Sequence, residues 1–143
     1  MSGDQQDLSV FPKDAPQPHR VRRDGERDLS FQGWRLAEAC VERGRPVGSY
    51  GDRERKTCVS IFVTVGAKLV VEVWRAENTV SDLSGAVSAE IDVESLVTES
   101  ADEILAFLKS SNRGSFGQAS REAWNMACEK FPPLAPYATE HID

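Results

Sequence analysis

The stretch VSIFVTVGAKLVVEVW, residues 59–74, carries apolar side chains at odd and even positions alike. Two short β-branched runs on either side of a glycine predict a β-hairpin. The length of its turn decides which side chains share a face. A two-residue turn at Gly66-Ala67 opposes Val63 to Val70 and Ile61 to Glu72, and both faces are then mixed. A three-residue loop, Gly66-Ala67-Lys68, opposes Val65 to Leu69, Val63 to Val71 and Ile61 to Val73, and one face becomes wholly aliphatic. A one-residue slip moves every side chain across the sheet, so burial selects the second arrangement. Several aliphatic burials at about 1.5–3 kcal/mol each outweigh one imperfect turn residue. That imperfection is Gly66, which stands first in a loop whose left-handed position comes last.

Alternation elsewhere extends the sheet. Residues 28–40 predict a first strand with a bulge or bend at Gly33. Glycines and dense charge over 42–56 predict a long exposed loop, and 77–85 a connector. Over 85–92, Val87, Ala89 and Ile91 alternate with Ser88, Glu90 and Asp92, a half-buried fourth strand. Helices follow. Ser100 and Glu103 form a capping box ahead of Ile104, Leu105 and Leu108. Ser115 and Gln118 suit the start of a second helix, whose Ala119, Ala123, Trp124, Ala127, Cys128 and Phe131 make one face before Pro132-Pro133 ends it. Strands first and helices last predict an α+β two-layer sandwich, an antiparallel four-stranded meander followed by two helices packed on one sheet face. Residues 1–23, with Pro12, Pro16 and Pro18 and no periodicity, read as a flexible N-terminal arm. Residues 24–143 read as a single domain.

With the helices on the aliphatic face, the reverse carries Ser60, Phe62, Thr64, Val70, Glu72 and Trp74. Phe62 and Trp74 fall as diagonal neighbours there, with one carboxylate beside them. Aromatic anchors are enriched in protein interfaces, so Phe62, Glu72 and Trp74 are candidate partner-binding residues. The favoured alternative, because large exposed apolar patches are uncommon on monomers, is that the chain's own N-terminal arm, Trp34 or Tyr137 covers the same rings.

Charge sharpens this picture. The net charge is −6, yet 19–56 holds ten bases against seven acids and 77–143 holds four bases against twelve acids. A surplus of three disfavours direct nucleic-acid binding, though a DNA-binding regulator using 19–56 is an alternative. Glu90, Asp92 and Glu94 project on one face about 6–7 Å apart if the strand continues. Such a row suits a solvated face, or an inhibitor that imitates nucleic acid before a basic channel of a host defence complex.

Chemistry finds little foothold. His19 and His141 lie in the terminal segments, so no imidazole is held by the core for nucleophilic catalysis. Cys40, Cys58 and Cys128 are an odd number with no close pair, which indicates neither a disulfide framework nor a zinc knuckle. Free thiols suit a reducing interior, and the chain reads as cytoplasmic. No glycine-rich phosphate loop and no apolar run of membrane-spanning length is present. The expectation is a non-catalytic regulatory protein without metal or cofactor, whose partner is another protein or protein complex.

Phe31-Gln-Gly-Trp-Arg-Leu-Ala37 resembles the Phe-x-Gly-x-x-Leu-Ala strand of the bacterial EXLDI-type proteins. Residues 63–71 are similar to that family's glycine-turn hairpin closing on Val-Val, and Glu140-His-Ile-Asp143 resembles its final Glu-x-Leu-Asp, with Ile for Leu. The matches span 28–143. The resemblance implies a bacterial accessory protein, of the kind carried on mobile elements, and brings no active site with it.

Overall fold

A computed structural model describes residues 11–22, 27–46, 52–80, 87–111 and 117–137. Five strands form one antiparallel sheet in sequence order: β1 (Gln17–Val21), β2 (Leu29–Pro46), β3 (Asp52–Thr64), β4 (Leu69–Val80) and β5 (Val87–Thr98). Two helices follow, α1 (Ala101–Ser111) and α2 (Gln118–Lys130), then a 3-10 turn over Pro132–Tyr137. The fold is α+β, with five strands where the hydrophobic pattern predicted four. The additional strand lies in the supposed flexible arm, and Phe11 is also buried in the main core. Its short length, Pro18 within it and Pro16 just before it hid it. Pro18 is tolerated because β1 lies at a sheet edge, where a missing donor breaks no inner ladder.

The expected loop over 42–56 is also a correction. β2 and β3 continue through it as a ladder from Glu42↔Lys56 to Pro46↔Asp52. Its charges face each other across strands: Lys56 Nζ lies 3.4 Å from Glu42, and Arg55 Nε lies 3.5 Å from Glu77. Within this ladder Glu42 and Lys56 are opposite charges in register, while Arg43 opposes Arg55 and Arg45 opposes Arg53, and Glu77 of β4 offsets Arg55.

Helix α2 packs on β2 and β3, and α1 on β4 and β5. Together they bury the aliphatic face, in which Val59, Ile61, Val63, Val71 and Val73 meet Ile104, Leu108, Ala123, Trp124 and Ala127. Ser100 Oγ accepts the Glu103 N–H at 3.4 Å, as expected of an N-cap. The Ser100 N–H, however, donates to Thr98 Oγ1 at 3.0 Å rather than to the Glu103 carboxylate. Helix α2 starts after Gly117, which makes no side-chain cap. Ser115 and the 140–143 motif lie outside the described residues.

The face assignment of the central hairpin agrees with the burial argument, but its register does not. Val63 opposes Leu69, Ile61 opposes Val71 and Val59 opposes Val73. The loop has three residues, shifted by one to Val65-Gly66-Ala67. Both partner sums are even, so the same side chains still reach the core. Thr64 decides the position: its Oγ1 accepts the N–H groups of Gly66 at 3.2 Å and Lys68 at 3.0 Å. Ala67 therefore takes the left-handed position, with φ 66°. A Cβ there meets the neighbouring carbonyl at about 1–2 kcal/mol, while glycine adds unfolded-state entropy worth about 0.5–1 kcal/mol. Ala67→Gly is accordingly expected to stabilise the protein by about 0.5–1 kcal/mol, read as a higher urea midpoint with unchanged slope.

Two features of β2 shape the other side of the sheet. A bulge between Arg35 and Ala37 sends both Leu36 and Ala37 into the helix-covered core opposite Ile61. At Gly33 a Cβ would collide with the Val63 carbonyl oxygen, so only glycine lets the two backbones approach. From there the start of β2 carries β1 over the reverse face. The Arg22 N–H donates to Glu72 Oε2 at 2.9 Å, a bond from the end of β1 to β4. Three flat strand spacings would separate these elements by about 14 Å. The sheet is strongly curled, and its reverse face is concave.

Candidate functional site

Of the anticipated binding residues, Phe62 is corrected outright. It is 3% exposed, enclosed by Val21 of β1 and by Val70, Leu29 and Phe31. The rings of Phe31 and His19 stand 5.4 and 5.1 Å from it, and the Arg35 guanidinium lies 5.6 Å over its face. The N-terminal segment thus provides the cover, one of the alternatives open at the level of sequence. The irregularity anticipated at Gly33 is a close approach of its backbone to the Val63 carbonyl, while the bulge itself lies between Arg35 and Ala37.

Phe62 and Trp74 are not diagonal neighbours either. Phe62 opposes Val70 and Trp74 opposes Cys58, with the Ser60–Glu72 row between them. Four residues of strand amount to about 13 Å. Trp74 is half-buried beneath the Arg22 guanidinium, 5.7 Å above the ring. Glu72, whose side chain is 15% exposed, receives the Arg22 backbone N–H and lies 3.9 Å from its Nε. Glu72 and Trp74 therefore clamp β1 onto β4.

Beside Trp74 lies a bond the sequence did not disclose. Cys40 and Cys58 form a disulfide across the β2–β3 ladder, with Cα atoms 4.1 Å apart, as in the narrow, non-hydrogen-bonded kind of antiparallel pair. The bulge makes it possible, because without the extra residue Cys40 would stand opposite Thr57. The expectation of three free thiols is corrected, and the argument from them for a cytoplasmic location falls with it. Cys128 is the free thiol; it is buried, and burial pushes its pKa up to about 11. It is held as a thiol, not a nucleophile.

His19 is likewise part of the fold rather than of a loose terminus. Partial burial lowers its pKa, the Arg35 charge lowers it further, and a hydrogen bond with the Gly33 backbone opposes both. The imidazole is therefore neutral at pH 7.

The acidic row lies on β5, which continues past Glu94 to Thr98. Asp92 opposes Arg75 and Glu94 opposes Val73, so both share the helix-side face of the sheet beyond the helices' cover. Arg75 bridges them, with NH1 2.8 Å from Asp92 and NH2 3.2 Å from Glu94. Glu90 occupies the next position of that row, opposite Glu77; its side chain lies outside the described residues. The two carboxylates and one guanidinium leave a single negative charge, not an unbroken ladder of charge.

The placing of Ile91 in the buried row of a half-buried strand is corrected: it is 61% exposed, and Val97 on the same face is 42% exposed. Both belong to β5, which pairs with β4 on one side and with no strand among the described residues on the other. An open hollow of about 410 Å³ adjoins its end, lined by Lys68, Val97, Thr98, Glu99, Ser100 and Glu103. Edge position was legible as the last strand of a meander; that Ile91 would be uncovered was not. Among the described residues no group of three or more His, Cys, Asp or Glu side chains is gathered as for a metal ion, and no helix is long and apolar enough to cross a membrane.

The chain matches no known protein family, no curated protein and no solved structure.

Proposed function

We propose that this chain is a non-catalytic accessory protein that binds another protein through the exposed side chains of its last strand, β5. Ile91 and Val97 supply the apolar contacts, and Asp92 and Glu94 the charge beside them. The observation that carries this reading is the twelve-residue edge strand with two large apolar side chains in solvent. Large apolar side chains left in solvent mark interaction surfaces. β5 carries two of them, Ile91 and Val97, on one face. The bacterial accessory role implied by the EXLDI resemblance belongs to the same proposal.

The reading is tested with a photo-crosslinking residue placed singly at Ile91, Val97 or, on the helix face, Met126, in cells that express the protein naturally. A discrete protein adduct from positions 91 and 97, with none from 126, is the expected result. Adducts from 126 alone, or from no position, would exclude the edge as the binding surface.

A further inference from the structure

We infer that the solvated extension of the β2–β3 ladder binds the phosphodiester backbone of a nucleic acid, through Arg43, Arg45, Arg53 and Arg55 and without reading its bases. The inference is independent of the protein-binding reading of β5, since it uses other strands.

The argument begins with parity. Along the chain the charges of 42–56 look mixed, with five bases and three acids. Register sorts them. Residues opposed in a ladder share a face, and successive residues take opposite faces. Ala39 opposes Val59 in the helix-covered core, and the ladder continues outward from that pair without a further register shift. Arg43 opposes Arg55 and Arg45 opposes Arg53, so all four arginines fall on the helix-side face. Glu42, Asp52, Glu54 and Lys56 all fall on the reverse face. The pooled count over 19–56, which disfavoured nucleic acid, concealed this separation. Val41, one row nearer the helices, packs against the core, whereas the Arg55 side chain is 60% exposed.

Like charges directly opposite one another weaken a sheet, so two successive Arg–Arg pairs add nothing to the fold and point to a ligand of opposite sign. The neighbouring strands offset only part of the charge. Arg55 Nε lies 3.5 Å from Glu77, and Glu90 continues that row. The outer row runs from Arg45 and Arg53 to Thr79 and Ser88 and meets no acid in register. Four arginines against two glutamates leave a surplus of two positive charges in these rows.

The same rows select the ligand class. None of their positions is apolar, whereas a protein interface has an apolar, charge-poor centre. Binding to a phosphate backbone takes its affinity from charge and counterion release. The guanidinium fork pairs bidentately with phosphate. Arg43 and Arg45 are two residues apart, about 6.6–6.8 Å along the strand, close to the separation of successive phosphates. No aromatic residue in these rows offers a base a stacking surface, so the contact is independent of sequence. The net charge of −6 repels a polyanion elsewhere, which confines it to this face.

The test is fluorescence anisotropy of the purified protein with a short, labelled single-stranded DNA of mixed sequence, titrated at several salt concentrations. Binding is expected at low salt, with a log–log salt slope of about −1.4 to −2.8 for two to four phosphate contacts. The Arg45→Gln/Arg53→Gln variant should bind at least fivefold more weakly and with a flatter slope. Lys56→Gln removes a base from the reverse face and should leave binding within twofold. Glu77→Gln should strengthen binding, a gain that misfolding cannot produce. Absence of binding by the wild-type protein at low salt would overturn the inference. So would equal losses from Lys56→Gln and from the arginine pair, which would reduce the effect to net charge. Displacement of the DNA by an equal concentration of a charge-matched peptide alternating Asp and Thr would assign the face to an acidic protein and overturn it as well.

Discussion

Replacing Phe62 by alanine is expected to lower the unfolding free energy by about 3–5 kcal/mol, the usual loss for a buried phenylalanine. The ring is enclosed by residues from three strands: Val21, Leu29, Phe31 and Val70. Its removal takes away the surface on which β1 is seated, and the Arg22–Glu72 clamp would then hold β1 without an apolar floor. For a domain whose whole stability is on the order of 5–15 kcal/mol, the variant approaches the unfolded state at room temperature. Urea denaturation followed by circular dichroism measures the shift in midpoint. A wild-type midpoint would mean that the ring is solvated and β1 not seated over it. Partner binding through β5 needs no contact with Phe62, so whatever fraction remains folded should keep its crosslinks at Ile91.

Removing the Cys40–Cys58 bond, by reduction or by Cys58→Ala, is expected to destabilise the protein by about 3 kcal/mol. The estimate follows from the closed loop, since the cysteines are 18 residues apart and the lost constraint on the unfolded chain grows with the logarithm of loop length. The bond lies at the junction between the helix-covered part of the β2–β3 ladder and its solvated extension, opposite Trp74. Reduction should therefore loosen the extension first, seen as faster amide exchange from Glu42 to Lys56. Mass spectrometry after alkylation checks the pairing itself. Unfolded but unreduced protein should take one alkyl group, at Cys128, and reduced protein three. Three alkyl groups without reductant would show that the disulfide does not form.

Much of the architecture was legible along the chain. Strands precede helices, and the apolar stripes of α1 and α2 coincide with the residues that are buried. The aliphatic side of the central hairpin was identified correctly even though its loop lies one residue earlier than parity alone suggested. That outcome has a simple cause: burial constrains the parity of a register, and Thr64 then chooses among registers of equal parity. Less was legible of the site. Phe62 could be placed on the reverse face but its cover could not be named, because alternation assigns a face and does not say what else will lie over it. The ladder over 42–56 was concealed because charge density resembles a loop when the cross-strand partner is unknown.

Composition and periodicity by themselves determined the α+β class, the helix-facing core and the alternation that puts Asp92 and Glu94 on one side of β5 with Ile91 on the other. These follow from side-chain spacing within single elements. Tertiary structure alone decided that β1 folds over Phe62, that Cys40 meets Cys58, and that the apolar contacts left open are Ile91 and Val97. The first two depend on local irregularities of β2, the close approach at Gly33 and the extra residue at Leu36. Such irregularities turn or shift a strand without altering the hydrophobic pattern on either side.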